Sequence, residues 1–433
     1  MASSYGLLEE KGYVYIEALK LPPSRPDESD LSFEDLHPGF SATRLAGRRL
    51  YRHQWEALRL LDGGFNVVLV SGTGSGKTEA WFSWVALRTA RGEPVRVLAV
   101  YPTLALAWDQ MARLEEYSRA LGLGVVGVDS LAKRGERGLR SRVRDSRVVA
   151  TNPAMLLYEL KKHLVKPGSA TLSPILESLD LLVVDELDFY DPRALALLLG
   201  MIELLAVLRG KGMQVAVLSA TLANPEDLAG YLERVTGRPC RVVRGRPFRV
   251  ESRVIVVLGK DLEAVRRHLA REAEARGLDL PREVEEALGD PRVFAEKAYL
   301  VADYLASLGV EPPSFSPDPV EILEWYARDE AEPRGLTLAF TRSINEAERL
   351  ARSLRERLGE EAGRVAVHHH LVPKEVRRAV EEGARRGEVR VIVTPRTLTQ
   401  GIDIGSVVRV VHVGLPLDVR EFWQREGRKG RRE

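Results

Sequence analysis

Little in this chain points to a secreted or membrane setting. Cysteine occurs once, as Cys240. That excludes a disulfide framework and any cysteine-based zinc site within one chain. No apolar run approaches ~20 residues, so no membrane-spanning helix is expected. The opening segment, MASSYGLLEEKG, lacks the charged-then-apolar layout of a signal peptide, which leaves the cytoplasm as the default compartment. Charge of one sign is scarce too: 64 Lys and Arg against 62 Asp and Glu give a net charge of +2. Binding to a polyanion would have to come from a local groove, not from a global field. No short internal repeat is present.

What is present is α/β patterning over 433 residues, enough for two to four domains. Residues 1–45 read as an N-terminal extension, with a strand-like YVYIEALKL and then a loop, PPSRPDESD. Over 46–250 apolar strand candidates recur at 67–70, 95–100, 147–150, 181–184 and 214–218, separated by helical patterns. That alternation predicts a parallel sheet with crossover helices. Residues 251–335 read as a linker and helical insertion, charged and proline-broken. A second α/β unit occupies 336–433, with strands LTLAF, RVAVHH, VRVIVT and VVRVVHVG.

The stretch VVLVSGTGSGKTEAW carries the clearest chemistry. A buried β-branched strand runs into glycines at 72, 74 and 76, then Lys77 and Thr78, with a helix-compatible segment from Glu79. A strand, a glycine-rich turn and a helix N-terminus make an anion cradle from Ser71, Gly72, Thr73, Gly74, Ser75 and Gly76. Lys77 would reach the β- and γ-phosphates of ATP, and the Thr78 hydroxyl would bind Mg²⁺. The generic phosphate-loop pattern has glycine where this chain has Ser71.

Other stretches take their meaning from that loop. LLVVDELDFYD puts Asp185 and Glu186 directly after a buried strand, where Asp185 would hold Mg²⁺ and Glu186 would polarise the attacking water. Alone, such a pair is equally a solvated loop. In QVAVLSATL, Ser219 and Thr221 can bond the acidic pair and relay nucleotide state, or cap a helix. In LYRHQWEAL, the Gln54 amide can read an adenine edge, and Tyr51 or Arg52 can stack on the base. Near the C-terminus Gln424, Arg425, Arg428 and Arg431 are spaced so that one helical face could carry them toward phosphate. A solvated basic tail is the plainer reading. His368 and His370 would point the same way on a strand, but too few further ligands are evident for zinc.

Taken in order, these residues resemble the superfamily 2 helicases of the DExH/DEAD-like group. YRHQ is similar to the Q motif, SGTGSGKT to motif I, YPTLALAWDQ to Ia, TNPAML to Ib, DELD to II and SAT to III. AFTRSINEAE resembles motif IV, VTPRTLTQGIDIG motif V and QREGRKGR motif VI. SATLANPEDL and TQGIDIG look most like the Lhr, Hrq and Ski families. A serine at position 71 suits the helicase form of the loop.

The resemblance implies two RecA-like lobes with ATP between them and single-stranded nucleic acid across both, DNA favoured over RNA. It implies that Gly401 and Asp403 face the nucleotide from lobe two, and that Arg428 and Arg431 reach its γ-phosphate with Gln424 nearby. It makes Thr103, Thr151, Asn152, Thr341, Arg342 and Thr394 contacts on the nucleic-acid track. The pattern is departed from at Leu104, where a basic residue is frequent, and at Asp188, where DExH proteins have histidine. The chain also stops at Glu433, right after motif VI, and so reads as a fragment or a truncated reading frame. The expected function is an ATP-dependent helicase or translocase. The alternatives are a double-stranded DNA translocase subunit and an ATP-gated clamp without turnover; intact Lys77, Glu186 and Arg431 argue against the clamp.

Overall fold

A computed structural model of the chain describes residues 2–72, 74–129, 138–395 and 407–429. Seven strands form the first sheet: β1 (Asn66–Ser71), β2 (Val97–Val100), β3 (Val125–Gly127), β4 (Val148–Thr151), β5 (Leu181–Val184), β6 (Gln214–Ser219) and β7 (Cys240–Gly245). Across the sheet they run β7-β1-β6-β5-β2-β4-β3, each pairing parallel with its neighbours. Alternate residues feed two cores. Val67, Leu69, Val97 and Val183 join one face, while Val68, Leu98, Val149 and Val184 join the other. Burial on both faces is why these strands read as continuous apolar runs. The two strands missing from the sequence reading have physical reasons for their silence. β3 is only three residues long and lies at a sheet edge, and β7 exposes Arg241 and Arg244 on an outer strand.

The second sheet has four parallel strands, β8 (Leu336–Phe340), β9 (Val365–Val367), β10 (Val391–Thr394) and β11 (Val407–His412), in the order β9-β10-β8-β11. Here the histidine expectation is corrected. β9 stops at Val367, so His368 and His370 do not share a strand face. His368 and His369 are the buried pair, bonded to Glu381 at 3.0 Å and Glu348 at 2.8 Å, while His370 is exposed. Among the described residues no three His, Cys, Asp or Glu gather as a metal site.

Between the two sheets in chain order, helices Leu262–Ala275, Arg282–Gly289 and Pro291–Ser307 close on a core of their own around Leu269, Phe294 and Leu305. The N-terminal residues divide between the two sheets. Phe33, Phe40 and Leu45 pack into the first; Leu7, Leu8 and Tyr13 pack into the second, beside Leu323 and Trp325. Between these anchor points Tyr13–Leu21 pairs antiparallel with Ser252–Lys260. No described helix is long and apolar enough to cross a membrane.

Five helices matter for the site: α1 (Arg52–Asp62), α2 (Lys77–Ala90), α3 (Leu104–Ala120), α4 (Pro153–Val165) and α5 (Val419–Glu426). The first four follow or flank the carboxyl ends of the first sheet's strands, the usual ligand crevice of an open α/β sheet.

Candidate nucleotide cleft

The loop between β1 and α2 is held in shape before any ligand arrives. Gly74 and Gly76 both have φ of 76°, a left-handed conformation that glycine adopts freely. A Cβ at Gly72 would meet Pro247 Cβ at 2.3 Å, and one at Gly76 would meet Gln54 Nε2 at 2.2 Å. Ser71, in place of the generic glycine, ends β1 with its Oγ 2.7 Å from Ser75 Oγ. The serine therefore closes the loop across its base. α2 begins at Lys77, two residues earlier than the sequence suggested, with Gly76 as its N-cap. Thr73 lies outside the described residues.

α1 braces this loop from the side. His53 Nε2 contacts the Ser75 carbonyl at 2.8 Å. Burial first of all, with the Lys77 cation adding to it, holds His53 below the ordinary histidine range, against the Ser75 bond; the neutral ring then donates from Nε2. Gln54 Nε2 donates to the Gly76 carbonyl at 2.9 Å, and Gln54 Oε1 accepts from the Tyr51 N–H at 2.8 Å. The buried amide thus anchors the loop, and reading an adenine edge would require it to release these partners. Tyr51 stacks on His53, with ring centroids 5.8 Å apart, and Arg52 is exposed beside it.

The reactive groups converge behind the loop. Lys77, 7% exposed, donates to the Ser71 carbonyl at 3.3 Å and lies 3.9 Å from Glu186 Oε2. Asp185 is buried and accepts the Glu186 N–H at 2.8 Å. Burial, with the Glu186 charge alongside, pushes the Asp185 carboxyl well above the usual carboxylate range. Glu186 itself has φ 48° and ψ 53°. A left-handed backbone at a non-glycine residue costs roughly 1–3 kcal/mol and clusters at functional sites. Its Oε2 is buried without a hydrogen-bond partner. A buried carboxylate disfavouring its own charge, next to an unsatisfied carboxylate oxygen, is an environment that a hard cation would relieve. Thr78 Oγ1 meanwhile donates to Gln110 on α3 at 3.2 Å.

The sequence flagged Asp188 only as a departure from pattern; the structure makes it the junction. Ser219 Oγ donates to Asp188 Oδ1 at 3.0 Å and the Ala220 N–H to the same oxygen at 3.2 Å. From the second sheet, Gln424 Nε2 donates to Asp188 Oδ2 at 3.2 Å. Arg420, also on α5, donates to the Asp188 carbonyl at 2.7 Å and reaches the Tyr190 carbonyl at 3.4 Å. Ser219 therefore bonds Asp188 and not the Asp185–Glu186 pair, and Thr221 enters only through its carbonyl, which accepts from Ser219 Oγ. Neither Arg420 nor the destination of the Ser219 bond carries a local sequence signal, because Asp188 lies 31 residues from Ser219 and 232 from Arg420.

The single basic face is also corrected. α5 ends at Glu426 with Gly427 as C-cap, so Arg428 lies past the helix and not on its face. Arg425 is buried in its own lobe, bonded to Glu421 at 2.9 Å and placed over the Phe340 ring at 4.8 Å. Arg428 is 5% exposed, which removes the reading of a wholly solvated basic tail. Gly401, Asp403 and Arg431 lie outside the described residues.

The expected track residues separate into two groups. Thr151, Thr341 and Thr394 are buried, and their hydroxyls donate to the carbonyls of Val128, Ser343 and Pro395. Those hydroxyls are used inside the lobes and are not offered to a surface strand. Thr103 and Asn152 instead N-cap α3 and α4 at the ends of the adjacent strands β2 and β4, and Arg342 is exposed beyond β8.

A phosphate loop, an acidic pair after a nearby parallel strand, and a helix of a second parallel sheet resting on the acidic turn define a two-lobed P-loop NTPase. Residues 51–228 match the DEAD/DEAH box helicase family, and residues 319–433 match the helicase conserved C-terminal domain. The chain belongs to the superfamily 2 helicases of the DEAD/DEAH kind. It is 27% identical over 392 residues to the ATP-dependent helicase YprA of Bacillus subtilis, covering 88% of this chain and 45% of that one. Among solved structures, helicase MrfA bound to DNA is similar with a TM-score of 0.67 at 21% identity, over 99% of this chain and 54% of that one. Mycobacterium smegmatis helicase Lhr bound to ssDNA and AMP-PNP is similar with a TM-score of 0.58 at 23% identity, over 88% and 44%. These two likenesses are of fold. The chain spans about half the length of the curated relatives it matches.

The cross-lobe contacts give a first test. Gln424→Ala removes one tie to the acidic turn and Arg420→Ala two, and both leave the phosphate loop untouched. A hydrogen bond involving a charged group contributes ~1.5–3 kcal/mol, or on the order of tenfold or more in rate. Each variant should lose about that factor in nucleic-acid-stimulated ATPase and keep parental ATP affinity. Equal loss of affinity and rate would point to a damaged first lobe instead.

Proposed function

We propose that the chain is a nucleic-acid-dependent ATPase that moves along or unwinds DNA, hydrolysing ATP between lobes spanning 46–250 and 336–433. The observation that carries this is the reach of α5 to Asp188, two residues past Glu186. Lobe two thereby touches the turn that carries the catalytic carboxylates, so nucleotide chemistry and lobe closure act on one element.

The loop from Ser71 to Gly76 would cradle the phosphates, and Lys77 would move from the Ser71 carbonyl to the γ-phosphate. Asp185 and Thr78 would hold Mg²⁺, which supplies charge neutralisation on the phosphates. Glu186 would orient and activate the attacking water. Gly401, Asp403 and Arg431 complete the lobe-two side on the family resemblance. Thr103, Asn152 and Arg342 are the surface members of the track. The setting that fits is the cytoplasm, where ATP and nucleic acid are both at hand.

DNA is favoured because the similar solved structures include helicases bound to DNA. The decisive experiment measures ATPase rate with single-stranded DNA, duplex DNA and RNA in parallel, plus strand separation of a forked duplex. Stimulation by single-stranded DNA, falling as salt rises, is the expected result. Stimulation by duplex alone without strand separation would favour a double-stranded translocase, and no turnover under any condition would favour the clamp.

A further inference from the structure

Gln110 ends the stretch YPTLALAWDQ and stands on α3, about two helical turns past the Thr103 N-cap. Its Oε1 accepts from the Thr78 hydroxyl of α2 at 3.2 Å. α3 is also fixed against α2 one residue further on. Tyr117 Oη donates to Glu79 Oε1 at 2.8 Å, and Arg113 Nη1 lies 3.4 Å from the same oxygen. Residues 110, 113 and 117 are spaced by three and four, so one face of α3 carries all three side chains to Thr78 and Glu79 in the first turn of α2. Glu79 is buried, and removing one partner of a buried charge is strongly destabilising. The contacts at Glu79 therefore set where α3 lies on α2, and with it where the Gln110 amide meets Thr78.

That meeting point matters because of what a hydroxyl can do. It has one proton and two lone pairs. When a protein acceptor takes the proton, a lone pair is left for a cation; when the proton is free to turn, the hydroxyl can present hydrogen to the cation instead. The single Thr78 proton goes to Gln110, while the Asp185 carboxylate takes the Glu186 N–H. Thr78 is 4% exposed, so its proton must find its acceptor within the protein. We infer that Gln110 is a positioning residue for the metal: it holds the Thr78 proton so that the hydroxyl oxygen is presented to the cation. The inference rests on the proposed assignment of Mg²⁺ to Thr78 and Asp185. It adds to that site a residue of the helix that opens at Thr103.

The test titrates a fluorescent ATP analogue onto the full chain in EDTA and then at stepped Mg²⁺ concentrations. Metal-free and metal-dependent binding are read separately, and no turnover is needed. Gln110→Met keeps the length of the side chain and has no carbonyl to take the proton. Loss of a group that orients a metal ligand typically costs 10–100-fold in metal affinity, so this variant should need roughly 10–100-fold more Mg²⁺ for the same tightening. It should bind in EDTA as the parent does, which also shows that it has folded. Gln110→Glu can still accept the proton and should stay near the parent. On a Thr78→Ala background Gln110→Met should add nothing, because its effect runs through the hydroxyl. An unchanged Mg²⁺ requirement, an equal loss in EDTA, or a further loss on top of Thr78→Ala would overturn the inference and leave the metal assignment standing. If the parent binds equally well with and without Mg²⁺, the metal assignment fails and the inference falls with it.

Discussion

Glu186→Gln should bind ATP as the parent does and hydrolyse it roughly 10²–10⁴-fold more slowly, the range set by loss of a general base. The substitution keeps the shape of the side chain. The Glu186 N–H remains bonded to Asp185, so the left-handed turn at 186 should persist. What is lost is the ability to take a proton from water. The unsatisfied Glu186 Oε2, 3.9 Å from the Lys77 ammonium, is the group to which we assign this step. Fluorescent-nucleotide binding and steady-state phosphate release, measured on the same preparation, separate the two effects. Turnover at the parental rate would assign the water to another residue and leave Glu186 with a merely electrostatic part.

Arg428→Ala and Arg431→Ala carry the other large expectation. A guanidinium that stabilises charge on a transferring phosphoryl group contributes ~10³–10⁵ in rate, so each variant should nearly abolish turnover while lobe one still binds nucleotide. Lysine should rescue little at either position, because a point charge cannot reproduce a planar fork gripping two oxygens. Arg428 is buried, and its loss could unsettle the end of α5 as well as the chemistry. Thermal melting in parallel distinguishes the two: a variant that melts with the parent and has lost turnover isolates the chemical role. If both variants kept parental activity, the two-lobe cleft as assigned would be wrong.

Local chemistry was readable from the chain; distant partners were not. The strand–loop–helix around Lys77 and the carboxylates after β5 are each contiguous in sequence, and the pattern of the loop gives the acidic pair its meaning. Gln54 and Ser219 show the limit. Their residue types announce hydrogen bonding, but the partner is chosen by packing: Gly76 for one, Asp188 for the other. The threonines of the track show a different limit. A hydroxyl at a strand end can serve a ligand or a neighbouring carbonyl, and Thr151, Thr341 and Thr394 serve carbonyls. The helical face expected to run on through Arg428 is ended by Gly427, a single residue that caps α5.

The placement of the N-terminus bears on how the molecule is made. Leu7, Leu8 and Tyr13 complete the core of the second sheet, and Ala2–Ser3 pairs with Ala331–Glu332. During synthesis the first lobe can fold once its own strands have emerged, since domains form as units from the N-terminal side. The opening residues cannot join them, because their partners are still to be translated. Their pairing waits for the second lobe and closes one of the longest loops in the chain, a slow class of step. Residues translated well ahead of the first lobe's strands are thus among the last to find their places.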